Sequence, residues 1–313
     1  MKSLRFSLKL VVLLAILLST ALLVQAQATR TWVASSAGGG SDANPCSRTA
    51  PCLTFAGAIS KTADGGEIDV IEPGSYGAVT INKAITIDGG TGAGWAGILA
   101  TENGTAITVN TTGNQKNVIL RNLTLQGARQ TNSGGSVGIS LLKAGQLHIE
   151  NVNIENFDTT GISIDGADTI KVWMQHVTVL RSVTGVQAST ADGFSASIYM
   201  DDVNMQGSTD GLNAVANTGV AIRNSFFGGN VGTTNGAVKA SSGCAVFIEN
   251  SMFSSNGIAV NAAAGGTVTI SNNSFYGNTT ALTGAGTIAT ATNSNKFFGN
   301  TSDGATNATI TLK

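Results

Sequence analysis

Two sequence patterns recur together along most of the chain, and no other feature limits its fold so sharply. The first is a glycine opening an alternating stretch: Gly138-Ile139-Ser140-Leu141, Gly161-Ile162-Ser163-Ile164, Gly185-Val186-Gln187-Ala188, Gly211-Leu212-Asn213-Ala214 and Gly257-Ile258-Ala259-Val260. Ala237-Val238-Lys239-Ala240 is a copy without the glycine. Five steps from Gly138 to Gly257 cover 119 residues, a mean period of about 24. The second pattern is apolar-x-Asn-x-x-apolar, as Leu120/Asn122/Leu125, Ile149/Asn151/Ile154, Ile222/Asn224/Phe227, Ile248/Asn250/Phe253 and Ile270/Asn272/Phe275. Met174/His176/Val179 and Met200/Asp202/Met205 fit the same frame, and the seven copies are spaced by 22 to 29 residues.

Within each copy the apolar residues alternate with period two, which reads as strand rather than helix. About 24 residues hold three short strands and three turns, one coil of a parallel β-helix. A single coil cannot bury its own apolar residues, so coils stacked at about 4.8 Å must share one core. Asn suits the sharp turn because it tolerates left-handed backbone angles, and stacked amides can hydrogen-bond along the axis. Asn122, Asn151, His176, Asp202, Asn224, Asn250 and Asn272 are therefore expected to form a ladder. The length divided by the period predicts one elongated all-β domain of roughly 10–12 coils. Composition agrees. Only 11% of the 313 residues are charged, too few for exposed helix faces or for a disordered chain, and the 40 glycines have no collagen period.

Met1 to Lys9 carries Lys2, Arg5 and Lys9, Leu10 to Val24 is apolar, and Val24-Gln25-Ala26 is a small-residue cleavage site. This reads as a secretory signal peptide over residues 1–26, too short for a comfortable membrane span. No membrane span is expected in the mature chain, and the protein should be secreted or periplasmic. Removing the leader leaves 14 basic against 18 acidic residues, which gives no reason to expect a nucleic-acid partner. In an oxidising compartment Cys46 and Cys52, six apart between prolines, are expected to form a disulfide rather than a metal site. Cys244 lies in an apolar strand pattern and reads as a small buried hydrophobe.

The stretch Leu53-Thr54-Phe55-Ala56-Gly57-Ala58-Ile59, then Gly65-Gly66-Glu67-Ile68-Asp69-Val70, Glu72-Pro73-Gly74-Ser75-Tyr76 and Ile85-Thr86-Ile87-Asp88-Gly89 resembles the N-terminal part of pectin-lyase-like, right-handed parallel β-helix proteins. The resemblance implies a short capping helix at about Leu53 to Thr62, shielding an otherwise exposed sheet edge. It divides the chain into an N-terminal segment and helix (27–62) and a β-helix (63–313). Coils are expected to be regular over about 104–280, with a C-terminal cap over about 281–313. In the superfamily's enzymes the glycine strand lines the active cleft. Its outward positions here are Ser140, Ser163, Gln187, Asn213, Lys239 and Ala259, with no acid among them. Thr209-Asp210-Gly211 matches the polygalacturonase Asn-Thr-Asp motif in two positions only, and Thr234-Asn235-Gly236 stands where that family has paired aspartates. A lyase or glycosidase reading would have to use Asp165, Lys171, Asp210 and Lys239, and Ca²⁺ would enter only with the lyase, since that ion needs a set of oxygen ligands. No metal site and no cofactor is expected otherwise.

The strand before the Asn turn carries a different signal. Its outward positions in successive coils are Ile119, His148, Trp173, Tyr199, Ala221, Phe247 and Thr269. In a chain that is 5% aromatic, His148, Trp173 and Tyr199 are consecutive in this row, and Phe247 follows. Aromatic side chains offer flat apolar contact with a polar handle, which suits sugar rings. The neighbouring row Arg121, Glu150, Gln175, Asp201, Arg223 and Glu249 can hydrogen-bond hydroxyls. Three functions compete: binding of a polysaccharide or surface glycan without cleavage, a polysaccharide lyase or glycoside hydrolase, and a structural or adhesive surface protein. The alternative for the row itself is that a loop covers it and its charges pair across coils.

Overall fold

The computed structural model describes residues 27–90, 96–111, 117–128, 134–291 and 293–310, and the expected leader lies outside them. The chain winds as a right-handed parallel β-helix with three faces, every inter-coil strand pair being parallel. We call them the leading face (before the Asn turn), the following face (after it) and the glycine face. Among the described residues they hold twelve, ten and nine strands. Four long strands, Asn117–Gln126, Gln146–Glu155, Ile170–Leu180 and Ala196–Gln206, bend at the turn and serve both of the first two faces.

From the first glycine-face strand, Val79–Ile81, to the last, Thr280–Thr283, there are eight full turns, fewer than the ten to twelve expected, although the leading face stacks twelve strands, because its strands at either end have no described glycine-face partner. At the N-terminus the chain goes instead into a disulfide-closed turn and the capping helix. Beyond residue 280 strands still pair in register, with Phe275 opposite Phe297 and Ala289 opposite Ala308. Among the described residues no helix is long and apolar enough to cross a membrane.

The helix runs Phe55–Lys61. Thr54 caps it, its hydroxyl accepting from Gly57 N–H at 2.9 Å. The Asp42 carboxylate accepts from the Leu53 and Thr54 N–H groups and the Thr54 hydroxyl, and a Cβ on Gly57 would sit 2.1 Å from its Oδ1. Cys46 and Cys52 are bonded beside this cap, and both are fully buried. Cys244 is buried without a disulfide partner, and burial pushes its thiol pKa up.

Core columns follow from the register. Leu120, Ile149, Met174, Met200, Ile222, Ile248 and Ile270 stack in one line, each at most 1% exposed. The seven turn residues from Asn122 to Asn272 all adopt φ between 50° and 58°. Their side chains link only in places: Asn122 to Asp88, Asn151 to Asn122, Asn224 to Asp201 rather than to Asp202, and Asn272 to Asn250. His176 Nε2 lies 3.4 Å from Asp202 Oδ2, and both side chains are exposed. The continuous amide columns stand elsewhere. Asn230, Asn256 and Asn278 each donate to the next amide along the axis at 2.9–3.0 Å, the last to Asn300. Ser225, Ser251, Asn273 and Asn295 form a second column at the other end of the following-face strands. Between the two columns, Phe227, Phe253, Phe275 and Phe297 stack at 4.9–5.1 Å.

The glycines that open the glycine-face strands have a steric cause. A Cβ on Gly138, Gly161, Gly185 or Gly211 would meet the next coil's carbonyl oxygen at 2.2–2.8 Å. Gly257 breaks this phase. Val238 pairs with Val260 and Lys239 with Asn261, so Ala259 takes the glycine's place and is fully buried. The outward residue in that coil is Asn261, not Ala259, because Gly257 lies before the strand and Ile258 opens it, in the place of Thr160, Thr184 and Asp210, one residue ahead of the glycine position.

Candidate binding face

The leading face presents three outward rows, since residues two apart on a strand point the same way. In the middle row His148, Trp173, Tyr199, Ala221, Phe247 and Thr269 are directly opposite one another from coil to coil. The His148 and Trp173 rings stack at 4.5 Å with 9° between planes, and Trp173 and Tyr199 at 5.7 Å with 15°. The rings therefore cover one another's faces instead of forming the flat platform the sequence suggests. What this column offers outward is ring edges and the outer face of Tyr199, whose side is turned toward the small Ala221. Among the described residues no loop covers it, and Tyr199 is 46% exposed.

Beside the column lies the row Arg121, Glu150, Gln175, Asp201, Arg223 and Glu249, in the same register. His148, Trp173, Tyr199 and Ala221 of the column, with Glu150, Gln175, Asp201 and Arg223 of the row, line a depression of about 460 Å³. Arg223 Nε is 3.5 Å from Glu249 Oε2, and Asp201 Oδ1 accepts from Asn224 Nδ2 at 2.7 Å. Some charges thus pair across coils, yet exposed pairs of this kind hold little energy and leave their polar atoms free for other partners. Further along the axis Phe247 stands two coils from Tyr199, with Ala221 between them. Gly219 and Ala245 lie in the third row, and the three small residues floor a hollow of about 310 Å³.

Toward the N-terminus the same rows carry an ionic belt that the sequence reading did not single out. Glu67, Asp69 and Asp88 bring carboxylate oxygens within 4.8 Å of one another. Arg30 bonds Asp69 and lies 3.6 Å from Glu67, while Arg121 reaches Asp88 at 2.8 Å and Glu67 at 3.4 Å. Burial and the adjacent Asp69 raise the Glu67 pKa. Burial also opposes the Asp88 charge, but the Asn122 amide, the Gly90 N–H and Arg121 outweigh it and hold its pKa low. Two guanidiniums against three carboxylates make a paired network, so this trio does not fit a Ca²⁺ lyase site. The outward alternation in Glu67-Ile68-Asp69 and Ile85-Thr86-Ile87-Asp88 was the available signal.

The four residues a lyase or glycosidase would need do not converge. Asp210 and Lys239 are joined through Asn235: Asn235 Nδ2 donates to Asp210 Oδ2 at 2.7 Å, and Lys239 Nζ donates to Asn235 Oδ1 at 2.8 Å. Asp210 is buried and also accepts from Gly236 N–H. Asp165 is exposed at the far end of a strand two coils away, since Thr160 and Thr184 are the residues in line with Asp210. Five residues along and two coils across separate the carboxylates by about 19 Å, beyond the roughly 5–10 Å of glycosidase pairs. Lys171 is the second residue of a leading-face strand, opposite Gln146 and Ser197.

No protein-family model and no curated protein matches the chain. Several solved structures share its fold. Pectate lyase Pel9A has a TM-score of 0.56 at 14% identity, over 92% of this chain and 79% of that one. Geobacillus virus E2 ORF18 has a TM-score of 0.60 at 14% identity, over 88% of this chain and 60% of that one. The GH136 lacto-N-biosidase from Eubacterium ramulus has a TM-score of 0.56 at 11% identity, over 90% of this chain and 68% of that one. The chain thus spans less than two thirds of the viral protein's length. At such identities the likeness concerns the fold.

Proposed function

We propose that this chain is an exported β-helix protein that binds a carbohydrate polymer or surface glycan on its leading face without cleaving it. The observation that carries the reading is the His148–Trp173–Tyr199 column. Its three aromatic rings are consecutive on an outward row, beside a row of hydrogen-bonding groups. The open outer face of Tyr199, next to Gln175, Asp201 and Arg223, matches a sugar's C–H face and its hydroxyl rim. Two of the proteins that share this fold, a pectate lyase and a lacto-N-biosidase, act by name on carbohydrate. Export is supported by the Cys46–Cys52 bond and by the basic-then-apolar N-terminal sequence.

A lyase or hydrolase is the second reading, and the Asp210–Asn235–Lys239 chain favours it, because it holds an amine and a carboxylate on the glycine face. One set of experiments separates the two. Affinity electrophoresis through glucan, xylan, galactomannan, pectate and alginate should retard the wild type in at least one gel, and Trp173→Ala should abolish that retardation. Equal retardation of both proteins in every gel would refute the leading-face site. Incubation with pectate and alginate should release no unsaturated product absorbing in the ultraviolet; release that Lys239→Ala abolishes would establish the enzyme instead.

A further inference from the structure

The middle row of the leading face is an aromatic stack with one member missing. His148, Trp173 and Tyr199 supply rings in three successive coils, Ala221 supplies none, and Phe247 follows in the next coil. The surroundings of Ala221 are equally small. Gly219 and Ala245 flank it, and a Cβ built on Gly219 would meet nothing within 4 Å. Tyr199 and Phe247 border the resulting hollow, which leaves the outer face of Tyr199 open along the solenoid axis.

We infer that this hollow is a slot for one neutral pyranose residue, held between Tyr199 and Phe247 above Ala221. The inference rests on the carbohydrate reading and adds the place and the kind of ring. Two coils at about 4.8 Å set the bordering residues about 9.6 Å apart. A planar aromatic ring in carbon contact of about 3.5–4.0 Å on both sides would fill only about 7–8 Å of that. A chair, with axial hydrogens or hydroxyls on each face, takes up the remainder. Arg223 lies in the same coil as Ala221, two residues along the strand, with Asp201 and Glu249 in the coils on either side. Its side chain is 61% exposed and its contact with Glu249 is long, at 3.5 Å. Donor and acceptors therefore line one rim of the slot, which suits adjacent hydroxyls. Two carboxylates around one guanidinium leave this rim net negative and disfavour a uronate. Thr269, beyond Phe247, has no ring to continue the stack, so the slot takes one residue and the rest of the glycan runs along the Trp173 edge.

Ala221→Tyr tests this by supplying the missing ring from the protein. Wild type, Ala221→Tyr, Phe247→Ala and Trp173→Ala would be titrated calorimetrically with cellohexaose, xylohexaose, mannohexaose and hexagalacturonate, with melting temperature and circular dichroism recorded for each. The expected result is binding of a neutral hexasaccharide by the wild type and a loss of at least about tenfold in both Ala221→Tyr and Phe247→Ala, without a fall in melting temperature. If Trp173→Ala weakens binding while Ala221→Tyr and Phe247→Ala stay within about twofold of wild type, the slot is wrong and the carbohydrate reading stands. Tighter binding of hexagalacturonate than of any neutral ligand overturns the assignment of a neutral ring. Binding of no glycan by the wild type refutes both. If Ala221→Tyr does not fold, Phe247→Ala decides alone.

Discussion

Replacing Asn256 by Ala tests which amides hold the coils together. Asn256 is 2% exposed and makes four side-chain hydrogen bonds. Its Oδ1 accepts from the Asn230 N–H and Nδ2 at 3.0 Å, and its Nδ2 donates to Phe227 O at 3.0 Å and Asn278 Oδ1 at 2.9 Å. After truncation, Asn230 Nδ2 keeps Met205 O and Asn278 Oδ1 keeps the Asn256 N–H. The Asn230 N–H loses its acceptor and the Phe227 carbonyl loses a donor, both inside the solenoid. At about 1–3 kcal/mol for each buried group left short of a partner, the cost is about 2–6 kcal/mol. Asn250 is the contrasting site. It is exposed, its φ is 51°, and its amide accepts only from Asn272. Asn250→Ala should cost about 1 kcal/mol, mainly backbone strain, and Asn250→Gly should recover most of it. Asn256→Gly should recover nothing, because the left-handed residue there is Ser255. Urea unfolding gives the energies. Hydrogen exchange gives the location, with protection expected to fall from about Phe227 onward while earlier coils keep theirs, since each coil contacts only its neighbours. An Asn256→Ala cost no larger than that of Asn250→Ala would refute the idea that the buried amide column is a principal tie between coils.

Ser255→Gly should stabilise by up to about 1 kcal/mol, measured by urea midpoint, because Ser255 holds φ 57° where Gly229, Gly277 and Gly299 serve in the aligned coils. The phenol of Tyr76 is 1% exposed, donates to Glu72 O, and is pushed up to about 12 by burial and then by Glu72. Its native pKa lies above its unfolded value, so between pH 10 and 12 the native state holds the proton more tightly and stability falls as pH rises. The loss should approach about 2–3 kcal/mol at pH 12 and be absent in Tyr76→Phe. Reducing the Cys46–Cys52 bond, which closes a short loop, should cost about 2 kcal/mol, with faster hydrogen exchange confined to the capping helix and the first strands.

The repeat made the solenoid legible because stacking in register copies each choice of residue into a column. Ile149 with Met174, or His148 with Trp173, could be paired from spacing alone. What stayed hidden was the interior polar chemistry. Asn273 and Asn256 each follow a left-handed residue, Asn272 and Ser255, which breaks the alternation of inward and outward positions. A polar side chain can then turn inward at a corner and bond the backbone carbonyl of the preceding coil, as Asn273 does with Ile248 O. Period-two reasoning has no place for such a residue. The recurring Phe-x-x-Asn, as Phe275-Tyr276-Gly277-Asn278, was the available signal. Gly257 misled for a related reason: a glycine at a turn and a glycine at a strand start look alike in sequence, and only the next coil's carbonyl tells them apart.

The two aromatic columns of this molecule are built alike and constrained differently. Inside, Phe227, Phe253, Phe275 and Phe297 follow one another without a break. An Ala in that line would leave a cavity costing about 3–5 kcal/mol, so packing alone accounts for its continuity. Outside, the column from His148 to Tyr199 stops at Ala221 and a ring returns at Phe247, and no cavity results because solvent fills the space. Folding gains the stacking of His148, Trp173 and Tyr199 there, but it does not require the column to stop at Ala221. The proposed glycan contact on this open face would account for a pattern that the core does not demand.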